Sequence, residues 1–187
     1  MGVINVSDKS IIKVSTLDGS TSKITVTGGN EVIFTRIFRD QPAFYMVRNS
    51  AQSLNNNVDT KITYTSEIRD ITKNASPGSG TFTVPQYGTY FFGTEIMLQG
   101  YAIGAAERYD LTFKRERDST TTLEHRNIYQ GVGNGSNSVF QTLRAYYVTE
   151  LEPGDTIAVH VTNKSGTNRT TYPSTGNYTK FFGGLMK

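Results

Sequence analysis

Gly80-Thr81-Phe82-Thr83-Val84-Pro85-Gln86-Tyr87-Gly88-Thr89-Tyr90-Phe91-Phe92 is the stretch on which the fold turns, because it holds two strand patterns and the break between them. Phe82 and Val84 alternate with Thr81 and Thr83, the period of two that a half-buried strand imposes. Pro85 then withholds a ladder donor and Gly88 frees the backbone to turn, after which Tyr90 and Phe92 resume the same period. The spacing predicts a β-hairpin over residues 80–92.

The same punctuation recurs down the chain. Helical periodicity is nowhere sustained, whereas short alternating runs bounded by Gly, Asn, Ser and Pro predict strands at 43–48, 61–68, 80–84, 88–98, 107–115, 121–129, 138–150, 155–162 and 177–186. This is the pattern of an all-β sandwich, with a jelly roll as the candidate architecture. The run 138–150 sets Val139, Gln141, Leu143, Ala145, Tyr147 and Thr149 on one face and Phe140, Thr142, Arg144, Tyr146 and Val148 on the other. A second face of that kind is a liability in a free monomer and contact surface in a subunit packed against its copies.

Four segments, in order and at workable spacing, resemble the complement C1q globular-head family, whose relatives include the tumour necrosis factor ligands. Pro42-Ala43-Phe44-Tyr45-Met46-Val47 is similar to the opening Ala-Phe strand, and residues 80–92 to the Gly-x-Phe-Thr-x-Pro and Gly-x-Tyr-x-Phe core. Leu151-Glu152-Pro153-Gly154-Asp155 resembles the Leu-x-Pro-Gly-Asp turn, and Phe181-Phe182-Gly183-Gly184-Leu185 the closing Phe-x-Gly-x-Leu strand. Two departures are concrete: Val84 stands where many members carry Cys, and residues 163–177 are long and polar for the loop before the last strand. The resemblance spans about residues 42–187 and implies a ten-stranded jelly-roll head that forms a homotrimer and acts by binding, without catalysis. Phe44, Phe82, Tyr90, Phe92, Tyr146, Tyr147, Phe181, Gly183 and Leu185 are then the expected core or trimer residues.

Residues 1–40 fall outside the resemblance, leaving 41–187 for the head. Ile12 and Val14 alternate with Lys13 and Ser15, Asp18-Gly19 marks a turn, Ile24 and Val26 alternate again, and Gly28-Gly29-Asn30 leads into Val32-Ile33-Phe34. This pattern predicts a three-stranded meander. So short a segment rarely builds its own core, so its apolar positions, Ile12, Val14, Ile24, Val26 and Phe34, serve either as extra strands of the sandwich or as a docking or stem element.

Composition narrows the function classes. The 187 residues include no Cys, which excludes a disulfide framework, a thiol nucleophile and a thiolate metal site. The formal charge of +3 is mild, and cations are mixed with acids as in Lys114-Arg115-Glu116-Arg117-Asp118, which speaks against a phosphate-tracking stripe and against nucleic acid as partner. No apolar run approaches membrane-spanning length, and the first residues lack the basic and apolar blocks of a secretion signal. Met1-Gly2 is not followed by Ser or Thr at position 6, which is Val6, so a myristoylation start is not expected. Asn-x-Ser/Thr triplets at Asn5, Asn74, Asn134, Asn163, Asn168 and Asn177 are read as a by-product of Asn- and Thr-rich loops.

Catalytic constellations are sparse. His125 and His160 are the only imidazoles, and His160 alternates with Val159 and Val161, so it is expected to face solvent or an interface. Gly131-Val132-Gly133-Asn134-Gly135-Ser136 leads into a strand where a phosphate loop would need a helix. Glu150, Glu152 and Asp155 belong to a turn in which Asp155 caps backbone amides, so neither metal nor cofactor is expected. The polar loops 130–137 and 163–176 are the expected ligand surface, through Asn134, Asn137, Asn163, Lys164, Asn168, Arg169 and Tyr172. With neither collagen-like triplets nor Cys, the expected setting is a virion surface, where the head would dock on a capsid or tail protein through residues 1–40 and meet a host glycan or receptor. A soluble extracellular recognition module is the alternative.

Overall fold

The computed structural model describes residues 41–102, 107–131 and 138–186. The predicted N-terminal meander, with Ile12, Val14, Ile24, Val26 and Phe34, lies outside the described residues.

Two antiparallel sheets stack face to face. The larger holds, in spatial order, β10 (Ser138–Leu151), β7 (Gly88–Ala102), β13 (Thr179–Leu185), β1 (Ala43–Arg48) and β4 (Ser66–Asp70). The smaller holds β5 (Ala75–Ser76), β6 (Thr81–Thr83), β11 (Thr156–Asn163), β8 (Arg108–Arg117) and β9 (Thr120–Gln130), and β3 (Asp59–Lys61) pairs with the far end of β11. A short ribbon of β2 (Ser53–Leu54) with β12 (Arg169–Thr170) ties two loops together. The last strand lies between β1 and β7, as expected of a jelly roll.

The stretch 80–92 is not the hairpin its spacing predicts. β6 pairs with β5 and β11 in the smaller sheet, whereas β7 pairs with β10 and β13 in the larger, so residues 84–87 carry the chain across the sandwich. Val84 continues alongside the next corner, donating to the Asp155 carbonyl at 2.8 Å and accepting from Gly154 N at 2.8 Å. Pro85, without an N–H, ends that pairing. Gly154 takes φ +92, a backbone conformation that glycine adopts without steric cost, and the chain leaves β10 for β11 through this turn. The predicted strand 61–68 divides for the same reason. β3 belongs to the smaller sheet and β4 to the larger, with buried Ile62 and Tyr64 in the crossing between them.

Crossing sheets keeps the apolar period intact, because each sheet turns its alternate residues toward one shared interior. Phe82 from the smaller sheet meets Tyr90 and Phe92 from the larger, both at ring separations of 6.1 Å. Phe44 stacks on Phe82 at 4.4 Å and meets the edge of Phe181 at 4.8 Å, and Phe92 closes the group against Phe113 and Phe181. Fully burying each such ring stabilises the fold by about 1.5–3 kcal/mol. Gly183 belongs to this packing, since a Cβ there would lie 2.5 Å from the Phe91 carbonyl oxygen and 2.6 Å from the Phe92 ring.

Candidate interaction surface

The alternation that buries Phe44, Tyr90, Phe92 and Phe181 turns their immediate neighbours outward. Aromatic doublets therefore place rings on both sides of the larger sheet: Phe44-Tyr45 in β1, Tyr90-Phe91-Phe92 in β7, Tyr146-Tyr147 in β10 and Phe181-Phe182 in β13. On the outward side the rings form a continuous ribbon across four strands. Tyr45 lies 6.1 Å from Phe182, Phe182 lies 6.2 Å from Phe91, and Phe91 stacks against Tyr146 at 6.1 Å. Gly93 makes room for it, because a Cβ there would collide with the Phe182 ring.

The ribbon is open to solvent at the β10 side, where Tyr146 is 53% and Val148 51% exposed. One rank along the same face lies a charged row. Glu95 accepts from Lys180 at 3.0 Å and from Arg144 at 3.4 Å, beside the aromatic rank of Tyr45, Phe182, Gly93 and Tyr146. An apolar centre with a charged border is the anatomy of a protein–protein contact. At the outer edge of β10, Tyr129 of β9 hydrogen-bonds both the amide and the carbonyl of Arg144, and Asn127 donates to the same carbonyl at 3.0 Å. The two sheets are thus laced at that edge.

Of the residues expected in core or trimer contacts, Phe44, Phe82, Tyr90, Phe92 and Phe181 are fully interior. Tyr147 and Leu185 pack against the core from its margin, and Tyr146 stands outside. Tyr45, Phe91 and Phe182 were missed by reading one face of each strand at a time. The doublets themselves are the signal that finds them, since consecutive aromatics in a strand must point to opposite faces.

The expected ligand loop 163–176 is largely tied into the fold. Asn163 is buried, donates to the Leu54 and Thr167 carbonyls at 2.7 and 2.8 Å and accepts from Ser165 N, so its amide builds the loop and faces away from solvent. Arg169 pairs with Glu107 at 2.6 Å and lies 4.3 Å over the Tyr101 ring. Lys164 reaches Asp110, Asn168 accepts from Asn56 N, and Tyr172 meets the rings of Phe140 and Tyr178. Lys164 and Asn168 remain exposed, whereas Asn134 and Asn137 lie outside the described residues.

Asp155 and His160 are both held in internal pairs. Asp155 accepts from Glu152 N at 2.9 Å, as its turn position predicts, and takes a two-pronged pair from Arg117 at 2.5 Å. That guanidinium holds the Asp155 carboxyl below the usual carboxylate range despite its burial. His160 lies on the outward face of β11 with Nδ1 2.9 Å from Asp59, and burial pushes its imidazole down against the pull of that carboxylate. Among the described residues no group of three or more His, Asp or Glu is placed to hold a metal ion, and no helix is long and apolar enough to cross a membrane.

Comparison with known proteins agrees with this geometry. The C1q domain family model matches residues 43–186. The globular domain of zebrafish complement 1qA superposes with a TM-score of 0.56 at 20% identity, covering 79% of this chain and 98% of that one. Eiger TNF from S. frugiperda gives 0.61 at 10% identity, with 80% and 94% covered, and murine APRIL gives 0.55 at 13%, with 78% and 99% covered. No curated protein matches the sequence.

Proposed function

Because the chain belongs to the C1q domain family through residues 43–186, we propose that it is a homotrimeric recognition head that acts by binding, with the aromatic ribbon as its subunit contact. The observation that carries this reading is the outward ladder of half-buried Tyr45, Phe182 and Phe91 ending in exposed Tyr146, with its charged border. A contiguous apolar patch of this kind is costly on a free monomer and is relieved when copies cover it. The patch runs off one edge of the sheet, past Val148 and Phe140, so one subunit's β10 edge can lie on the next subunit's ribbon. Contacts between two different patches close into a ring, and three copies is the closure that family membership favours.

The setting we infer is extracellular, with a virion surface as its most specific form. A chain without Cys folds independently of redox compartment, and residues 1–40, outside the family match, supply an attachment segment for a capsid or tail protein. Among the described residues, exposed Lys164 and Asn168 on this loop are the positions open to a glycan or receptor. Light scattering on the full chain tests the assembly. A mass three times 20.7 kDa at micromolar concentration is expected, and a stable particle of one-chain mass overturns the reading.

A further inference from the structure

We propose that the outward face of the smaller sheet carries a separate binding site for a small oxyanion, a carboxylate or sulfate of the kind an acidic sugar presents. The site is a shallow pocket of about 80 Å³ between β3, β6, β11, β8 and β9. At roughly 30 Å³ per water molecule it holds a few waters, the size of one such group.

Strand register explains its lining. His160 stands opposite Lys61 of β3 on one side and Thr112 of β8 on the other, and Ala158 stands opposite Thr81 and Lys114. Directly opposed residues share a face, so these side chains converge, and the small Ala158 leaves the depression between them. Lys61 and Lys114 bring positive charge to the lining, against Glu116 within it and Asp59 at its margin, while the Arg115 guanidinium pairs with Glu124 at 3.1 Å. Thr81, Thr121 and Thr156 add hydroxyl groups able to donate to an oxyanion or accept from a sugar hydroxyl.

The chain's own chemistry shows what this ground attracts. The Asp59 carboxylate has settled at its margin, where one oxygen takes Lys114 at 2.5 Å and His160 at 2.9 Å while the other accepts from Thr162 at 3.2 Å. Lys61 forms no ion pair with any described residue, so a cation remains for a second anion. Burial holds the His160 imidazole below its ordinary range, against Asp59 and assisted by Lys114 and Lys61. An anion seated beside Lys61, Lys114, Asp59 and Glu116 favours the protonated ring and raises its titration midpoint. This site faces away from the aromatic ribbon and stands independently of the trimer.

The two histidines make the test direct. The full chain, labelled at the histidine ring carbon between the nitrogens, is titrated with sulfate, glucuronate and chloride at matched ionic strength. His160 is expected to shift saturably and to titrate at higher pH with sulfate, with glucuronate or with both, which distinguishes the two chemistries. His125, packed between the rings of Phe113 and Tyr147, is the internal control and stays still. Lys61→Ala is expected to weaken binding about tenfold, whereas Arg69→Ala on exposed β4 of the larger sheet leaves it unchanged. Absence of saturable movement at His160, equal movement with chloride, or an unchanged affinity in Lys61→Ala overturns the proposal.

Discussion

The two outward faces of this sandwich differ in chemistry, although its two inward faces are built alike. Outside the larger sheet runs the ring ladder from Tyr45 to Tyr146, bordered by Lys180, Glu95 and Arg144. Outside the smaller sheet the opposed positions read Lys61, His160, Thr112 and Arg126, then Thr83, Thr156, Glu116 and Thr121. Inside, Phe44, Phe92 and Phe181 from one sheet interlock with Phe82 and Phe113 from the other, and no chemical distinction between the sheets survives there. The difference teaches that strand alternation only guarantees two faces. What stands on the second face decides whether it meets water or protein, and here the two sheets are made for different neighbours.

The largest expected effect tests the shared interior. Phe92→Ala removes a ring that touches Phe44, Phe82, Tyr90, Phe113 and Phe181, and it is expected to cost about 3–5 kcal/mol as a core cavity. An unchanged melting temperature would break the claim that both inward faces form one core. The next effect separates the outward faces. Tyr146→Ser is expected to weaken assembly by about 2 kcal/mol per contact, roughly thirtyfold, with the subunit still folded. Glu116→Ser, on the exposed outer side of the smaller sheet, is expected to change stability by no more than about 0.5 kcal/mol and to leave assembly untouched. Sedimentation of the two variants decides it, and equal shifts in the association constant would erase the distinction between the faces.

Much of this was legible in the chain, for reasons that residues 80–92 illustrate. Phe82, Tyr90 and Phe92 announced buried alternation correctly, and the second face of residues 138–150 was read as contact surface from Phe140, Tyr146 and Val148, all of which stand exposed. What alternation does not encode is the partner. Phe82 points into the core from one sheet and Tyr90 from the other, so a sheet crossing and a hairpin share one hydrophobic pattern. The distinguishing contacts, Val84 with Gly154 and Asp155, lie about seventy residues away in sequence. The loop residues were illegible for a different reason. Asn163 and Arg169 have the composition of a binding loop, yet their amide and guanidinium satisfy groups at Leu54, Thr167 and Glu107, and polarity alone does not tell an internal tie from a ligand contact.

The smallest effect sharpens the comparison through acid. Three carboxyls held below their ordinary range, Asp59, Asp110 and Asp155, all belong to the charged side of the molecule. Burial raises Asp59 and Asp110, but Lys114 with His160 and Arg108 with Lys164 outweigh it, whereas at Asp155 the Arg117 pair is the leading cause. A carboxyl whose folded pKa is depressed binds fewer protons than its unfolded counterpart, so its stabilisation is present above the unfolded value of about 3.9. It is lost as pH falls through the lower folded value. Melting temperature is therefore expected to decline below about pH 4. Asp155→Asn is expected to lose about 1–2 kcal/mol at pH 7, where its charge-assisted hydrogen bonds matter, and to fall less steeply on acidification because one of the three titrating carboxyls is gone. Glu95→Gln, which weakens two surface pairs bordering the ring ladder, is expected to cost less at pH 7, about 0–1 kcal/mol. Thermal melts at pH 7 and pH 3 settle the ranking. If Asp155→Asn loses as much on acidification as the parent chain, Asp155 contributes nothing to acid lability, and the Arg117 pair does not hold its carboxyl below the usual range.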